Sequence, residues 1–208
     1  MTSQSSRPAQ IITMWELYGC GMEQIAARVA AALGVPVHGQ AFSSEQVEEQ
    51  AARREKEGVV GRFLRNLAPA TVPGSSAADA AITQAQSVAD IARQVREDVA
   101  GMAAEGGLIL GRNGAFLLHE WPGALHVKLV GQLEDRVARG AVLAGISRER
   151  SAKRQPLEDD FRRSIAQQVF KFDPTGDDYY DLVLDTTRFT EDQVVDLILA
   201  AARARASG

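Results

Sequence analysis

"YGCGMEQIAARVA", Tyr18 to Ala30, is the stretch whose reading decides the fold. It follows an apolar run, "IITMWEL" (Ile11 to Leu17), turns on Gly19 and Gly21, and opens a segment where Ile25, Val29 and Leu33 recur at helical spacing before Gly34. The apolar run bounded by glycine predicts a buried parallel strand, and the spacing beyond Met22 predicts a helix stopped by glycine. Strand, tight turn and helix start together make an anion seat, because the free N–H groups of the first turn point outward and the helix dipole adds positive potential. A full phosphate loop reads G-x-x-x-x-G-K-[ST]. Aligned on the helix start, Glu16 takes the first glycine's place, Met22 the last glycine's, Glu23 the lysine's and Gln24 that of the magnesium-binding hydroxyl. An ordinary strand-to-helix turn accounts for the same residues, with Glu23 stabilising the helix N-terminus by about 0.3–1 kcal/mol.

Working outward, "VPVH" (Val35 to His38) predicts a weak second strand, and Ser43 with Gln46 a capping box opening a charged helix to about Glu57. Residues 58–78 mix Gly, Pro and Ser and read as a partly ordered loop or short helix, a variable insertion. Ile82, Val88, Ile91, Val95 and Val99 predict a long helix over 79–105, ended by Gly106-Gly107. "LILG" (108–111) and "ALHVKLVG" (124–131) are two more strands with a short helix over 116–119 between them. Helices follow at roughly 132–144 and 147–170, then a fifth strand, "YDLVLDTT" (180–187), and a helix to about 205 capped by Thr190 and Gln193. Strands alternating with helices imply a parallel sheet covered on both faces by right-handed crossovers. Ligands in such sheets bind beyond the carboxyl ends of the strands, which puts Gly19–Glu23, Gly111–Asn113 and Asp185–Arg188 on one rim.

The bulk numbers narrow the partners. At 208 residues, with 45% hydrophobic and 24% charged, the chain has the make-up of one globular domain, expected over 11–205. A net charge of −4 offers no general attraction to nucleic acid or anionic membranes. The one cysteine excludes an intrachain disulfide, and no Cys/His cluster has zinc spacing, so no metal site is expected. No stretch approaches the roughly 20 apolar residues that span a bilayer. Residues 1–10 are polar, lack a secretion core and read as a flexible tail, so a cytoplasmic protein is the expectation.

Other candidates lie off the loop. Arg112 follows a buried strand, where a guanidinium can fork onto a phosphate or carboxylate; a loop-bracing arginine is the competing account. Arg148, Arg150, Lys153, Arg154, Arg162 and Arg163 read either as a mobile lid over transferring phosphates or, with Glu149, Glu158, Asp159 and Asp160 interleaved, as a solvated helical face. His38, His119 and His126 are scattered and read as structural; nothing marks Cys20 as a nucleophile.

Taken in order, "YGCGMEQIAARVAAALGVPV", "GGLILGRNGAFLL", "LEDRVARGAVLAGIS" and "DDFRRSIAQQVFKFDPTGDDYYDLVLDTTRFTEDQVVDLI" resemble the cytidylate-kinase-like family, P-loop proteins among the nucleoside monophosphate kinases. The likeness runs from Ile11 to Ala201. It implies a three-layer α/β P-loop NTPase fold with a five-stranded parallel sheet, Mg2+ and ATP at the first turn, a nucleotide or small phosphorylated acceptor across the rim, and a helical lid over 147–175. On that resemblance Gly19, Cys20 and Gly21, continuing into Met22, Glu23 and Gln24, match the phosphate loop, and Arg112 matches the arginine that holds the acceptor's phosphate. Asp160, Arg162 and Arg163 match the lid's acid-and-arginine segment, Arg154 joins them over the transferring group, and Asp185 and Thr187 match the turn near the adenine side.

The departures fall at the chemistry. Glu23 stands where the family puts a basic residue, Met22 where it puts glycine, and Gly39 where an aspartate often follows the second strand. A unit charge about 4 Å away is worth on the order of 4 kcal/mol at an effective dielectric near 20. Two functions follow: a phosphotransferase moving a phosphoryl group from ATP to a nucleoside monophosphate or similar small acceptor, or a catalytically impaired relative that keeps the fold for sensing, regulation or protein interaction and needs no cofactor. A homodimer is compatible with either.

Overall fold

The computed structural model describes residues 10–52 and 77–206. Residues 1–9 of the expected tail and most of the 58–78 insertion lie outside the described residues, as does any continuation of the second helix to Glu57.

The central strand, β1 (Ile11–Glu16), is buried along its whole length, as its run of apolar residues requires. The chain then turns into α1 (Met22–Leu33), which ends on Gly34 in the left-handed region, where glycine has no Cβ penalty. After a two-residue edge strand, β2 (Val37–His38), come α2 (Ser44–Ala52) and the long α3 (Ala77–Glu105). Ser43 and Gln46 exchange side-chain hydrogen bonds with each other's backbone N–H groups, the expected capping box. Next are β3 (Gly107–Leu110), the short α4 (Gly114–Leu117), β4 (Leu125–Val130) and α5 (Leu133–Ala144). The helix α6 (Arg148–Ile165) runs into a π-helical turn, Ala166–Phe170; β5 (Leu182–Asp185) and α7 (Glu191–Arg205) complete the order.

The five strands lie in the order β2-β3-β1-β4-β5 and every pairing is parallel. One face packs Ile12, Met14, Val127 and Leu129 against Ile25 and Val29 of α1 and Val194 and Ile198 of α7. The other packs Ile11 and Ile109 against Val99 and Ala103 of α3. This is the three-layer α/β fold the alternating pattern predicts. A third apolar cluster joins Val47, Ile91, Phe161, Val169 and Phe170, seating α2, α3 and α6 together.

Most polar groups inside the sheet are paired, although His126 Nε2 is buried without a partner among the described residues. Thr13 Oγ1 lies 2.8 Å from His126 Nδ1, and burial holds the His126 ring below its ordinary value. Lys128, 4% exposed, gives its Nζ protons to the carbonyls of Thr175 and Gly176 and to Asp177. It also sits over the Trp15 and Tyr180 rings. Among the described residues no helix is long and apolar enough to cross a membrane.

Candidate functional site

The loop between β1 and α1 is a tight turn held from behind. Gly19 (φ 81) and Gly21 (φ 83) are both left-handed, and a Cβ on Gly19 would lie 2.1 Å from the Arg136 carbonyl oxygen, so only glycine fits there. Arg136 donates to the Tyr18 carbonyl at 3.0 Å, Arg139 to the Cys20 carbonyl at 3.1 Å and to the Thr186 carbonyl at 2.6 Å. The Tyr18 ring is wedged against Gly140, its hydroxyl 3.1 Å from Ser151 Oγ. Loop, α5 and α6 are therefore one braced unit.

Two of the loop's amides are met by the protein's own carboxylates. Met22 N–H donates to Glu16 Oε2 at 3.0 Å, and Tyr18 N–H to Asp159 Oδ1 at 2.7 Å, with the other Asp159 oxygen 3.0 Å from Arg136. Glu23, in the place of the usual lysine, is exposed and meets only Gln40 at 3.5 Å among the hydrogen bonds of the described residues. The Cys20 thiol is wholly buried and pushed up to about 12 by that burial, which removes it as a nucleophile.

Beside the loop opens a cleft of about 120 Å³. Glu16 and Met22 form its inner edge, Arg112 and Asn113 the β3 side, and Glu158, Phe161 and Arg162 of α6 its roof. Gly111, Arg112 and Asn113 all have positive φ, so the turn after β3 is a strained one, and Arg112 Nε donates to the Gly39 carbonyl at 3.0 Å. Arg162 Nη2 lies 2.8 Å from Glu158 and 4.0 Å from Glu16, one cation between two acids. Burial raises the Glu16 carboxyl from 4.5 to about 7, although Arg162 and the Met22 N–H pull the other way. The wall thus holds a carboxyl that exchanges protons near neutrality, a guanidinium and a strained arginine turn around an apolar hollow.

A smaller hollow on the far side of the loop is lined by Cys20, Gly21, Gln24, Arg139, Thr186 and Glu191. Asp185 and Thr187 lie next to it in chain order but close a turn on themselves. Asp185 Oδ1 accepts from Thr187 N–H at 2.9 Å and from its hydroxyl at 2.6 Å. Neither residue lines either hollow.

The predicted lid residues separate in space. Arg162 joins Arg112 in the cleft wall. Arg154 does not: it is 1% exposed and bonds Glu48 at 2.7 Å, clamping α6 to α2. Asp160 and Arg163 pair with each other in an exposed position and do not line the cleft. One turn of helix carries Arg162 inward and Arg163 outward because successive residues are about 100° apart. The sequence alone does not place Glu158, Asp159, Arg136 or Arg139 beside the loop, and it marks Glu16 only as a missing glycine. A carboxylate at the end of a buried, mostly apolar strand was the signal for Glu16; the others come from distant elements and carry no local mark.

Residues 11–188 match the model of the Cytidylate kinase-like family. Among curated proteins the chain is 36% identical over 138 residues to the Uronate isomerase of Corynebacterium glutamicum, covering 66% of this chain and 26% of that protein. It is 34% identical over 77 residues to the Cytidylate kinase of Methanopyrus kandleri, covering 37% of this chain and 40% of that protein. The matches therefore span well under half the length of either relative. In three dimensions it is similar to an uncharacterized protein from Eubacterium ventriosum, with a TM-score of 0.61 at 18% identity over 94% of this chain and 98% of that one, which shows a shared fold. A gluconokinase from Sinorhizobium meliloti superposes with a TM-score of 0.45 at 15% identity, covering 97% and 95%.

Proposed function

The chain belongs to the cytidylate kinase-like family, and from that premise we propose that it is a phosphotransferase working on Mg·ATP and a small acceptor within one domain. One observation carries the reading: a single cleft is lined at once by Met22 at the start of α1, Arg112 after β3 and Arg162 of α6. A donor seated on the backbone of Gly19–Glu23 would point its terminal phosphate at the mouth of that cleft, as the rule for parallel sheets requires. Mg2+ enters as part of the nucleotide complex, held by phosphate oxygens.

The protein's own part is positional and electrostatic. Amides of the turn hold the donor, Arg112 and Asn113 orient the acceptor, and Arg162 meets the charge that builds on the transferring group. Arg154 acts at a distance, by fixing α2 against the roof of the cleft. Asp160 and Arg163 would reach the site only through a movement of α6, and Asp185 and Thr187 shape the turn beside the smaller hollow.

A second reading is favoured by a specific pair of contacts. Glu16 and Asp159 already occupy the Met22 and Tyr18 amides, and Glu23 adds a negative charge outside. On this reading the protein binds a nucleotide weakly or an anion, and acts as a sensor or partner protein. ADP formation from Mg·ATP over a panel of small acceptors, CMP included, separates the two. Acceptor-dependent ADP supports the phosphotransferase; saturable ATP binding with no turnover on any acceptor selects the second reading.

A further inference from the structure

We infer that the cleft takes an uncharged acceptor with a ring face and a free hydroxyl, a nucleoside or neutral sugar in preference to a nucleoside monophosphate, and that Glu16 is the base for that hydroxyl. This rests on the cleft being the acceptor site of the phosphotransferase.

Once Glu16 is ionised, above about pH 7, the charges in the wall cancel. Arg112 and Arg162 are matched by Glu16 and Glu158, and Glu23 stands near the mouth through its contact with Gln40. Arg162 is shared between the two acids, and Arg112 is engaged with the Gly39 carbonyl. A phosphate dianion would find Arg162 already shared between Glu16 and Glu158 and would face those two acids across the cleft from Arg112. The hydrogen-bonding capacity left over points the same way. Glu158, 3% exposed, keeps Oε1 without a partner among the described residues, and so does Arg162 with Nη1, while their other atoms bond each other at 2.8 Å. Both atoms are sealed from solvent, so a hydroxyl reaches them only when the Glu158 and Arg162 side chains shift; an unpartnered acceptor beside an unpartnered donor is then its complement, since a hydroxyl gives one hydrogen bond and takes another. The remaining wall, with Trp15, Phe42, Phe161 and Phe170, offers apolar faces to a ring.

Glu16 stands between the Met22 amide at the donor loop and the roof of the cleft, where a proton must go. The acceptor's oxygen bonds to the terminal phosphorus of ATP, the bond from that phosphorus to its bridging oxygen breaks, and ADP leaves with the electron pair. The hydroxyl proton passes to the Glu16 carboxylate. The groups that set its ionisation are Arg162 and Glu158 on α6 and Glu23 on α1, with burial dominant.

The test measures ADP release with Mg·ATP and cytidine, uridine, adenosine, glucose or ribose, each against its monophosphate. At least one unphosphorylated acceptor is expected to exceed its monophosphate by about tenfold or more in kcat/KM. Nucleosides against sugars then distinguish the two sources of the hydroxyl. Glu16→Gln should lower kcat on the order of 100-fold or more with KM little changed, and remove the ionisation near neutral pH from the kcat profile. Its thermal melt reports that the variant is folded. Preference for the monophosphates, or full turnover by Glu16→Gln, overturns the inference. Calorimetry of the same acceptors without ATP reads the cleft by itself. Binding there that Glu158→Ala abolishes upholds the acceptor class even where turnover is absent; failure of every unphosphorylated acceptor to bind overturns it, whatever ATP does.

Discussion

Glu16 and Met22 close a ring across the loop: the carboxylate that ends β1 accepts the first amide of α1 at 3.0 Å. The turn that ought to present this amide to a phosphate presents it to a buried acid. The contact stabilises the helix start and leaves the acid in a poorly solvated place, so the site carries an energetic cost at its centre.

That cost has a sign and a pH window. The folded-state carboxyl ionises at about 7 against 4.5 ordinarily, so the folded protein binds this proton more tightly than the unfolded chain. Stability from this group is complete below about 4.5 and falls as pH rises toward 7, by at most about 1.4 kcal/mol per unit. Glu16→Gln keeps an acceptor for Met22 and removes the slope. Urea unfolding should find variant and parent alike at pH 5 and the variant more stable by about 2 kcal/mol at pH 8. The same offset at both values would contradict this account.

Arg162 keeps two acids apart. Arg162→Met would leave Glu16 and Glu158 in one apolar wall with no cation between them, and should cost about 3 kcal/mol or more in denaturant unfolding. Glu158→Leu added to it should restore much of the loss, because the surviving acid then has no like-charged neighbour. Simple additivity of the two changes would show that the three groups are not coupled.

The two loop glycines differ in what surrounds them, and the difference is measurable. Gly19→Ala drives a methyl into the Arg136 carbonyl, and the backbone there has to move; Gly21→Ala meets nothing closer than 3.8 Å. Both pay about 1–2 kcal/mol for a left-handed alanine. Gly19→Ala should therefore lower Tm well beyond Gly21→Ala. Equal melting shifts would mean that α5 does not brace the loop.

Most of the fold was legible because its signals are local. The strand of β1, the Gly34 stop, both capping boxes and the helix after Ser147 all follow from residues within a turn or two of each other, whereas the π-helical turn at its end had no such signal. The loop was legible for the same reason. What the sequence hides is which side of α6 each charge takes. Arg154, Glu158 and Arg162 share one stripe at four-residue spacing, yet Arg154 meets Glu48, 106 residues away, while Arg162 meets Glu16. Asp159 reaching Tyr18 and Arg139 reaching Thr186 are likewise products of packing, for which one sequence offers no periodicity to read.

The central claim, that the Tyr18–Glu23 turn still seats a nucleotide's phosphates, is tested most directly by calorimetry of Mg·ATP with the parent protein and with Glu23→Lys. The account predicts saturable binding by the parent and binding about tenfold tighter by the variant, as an acid beside the phosphates becomes a cation. No saturable heat from either protein would contradict it.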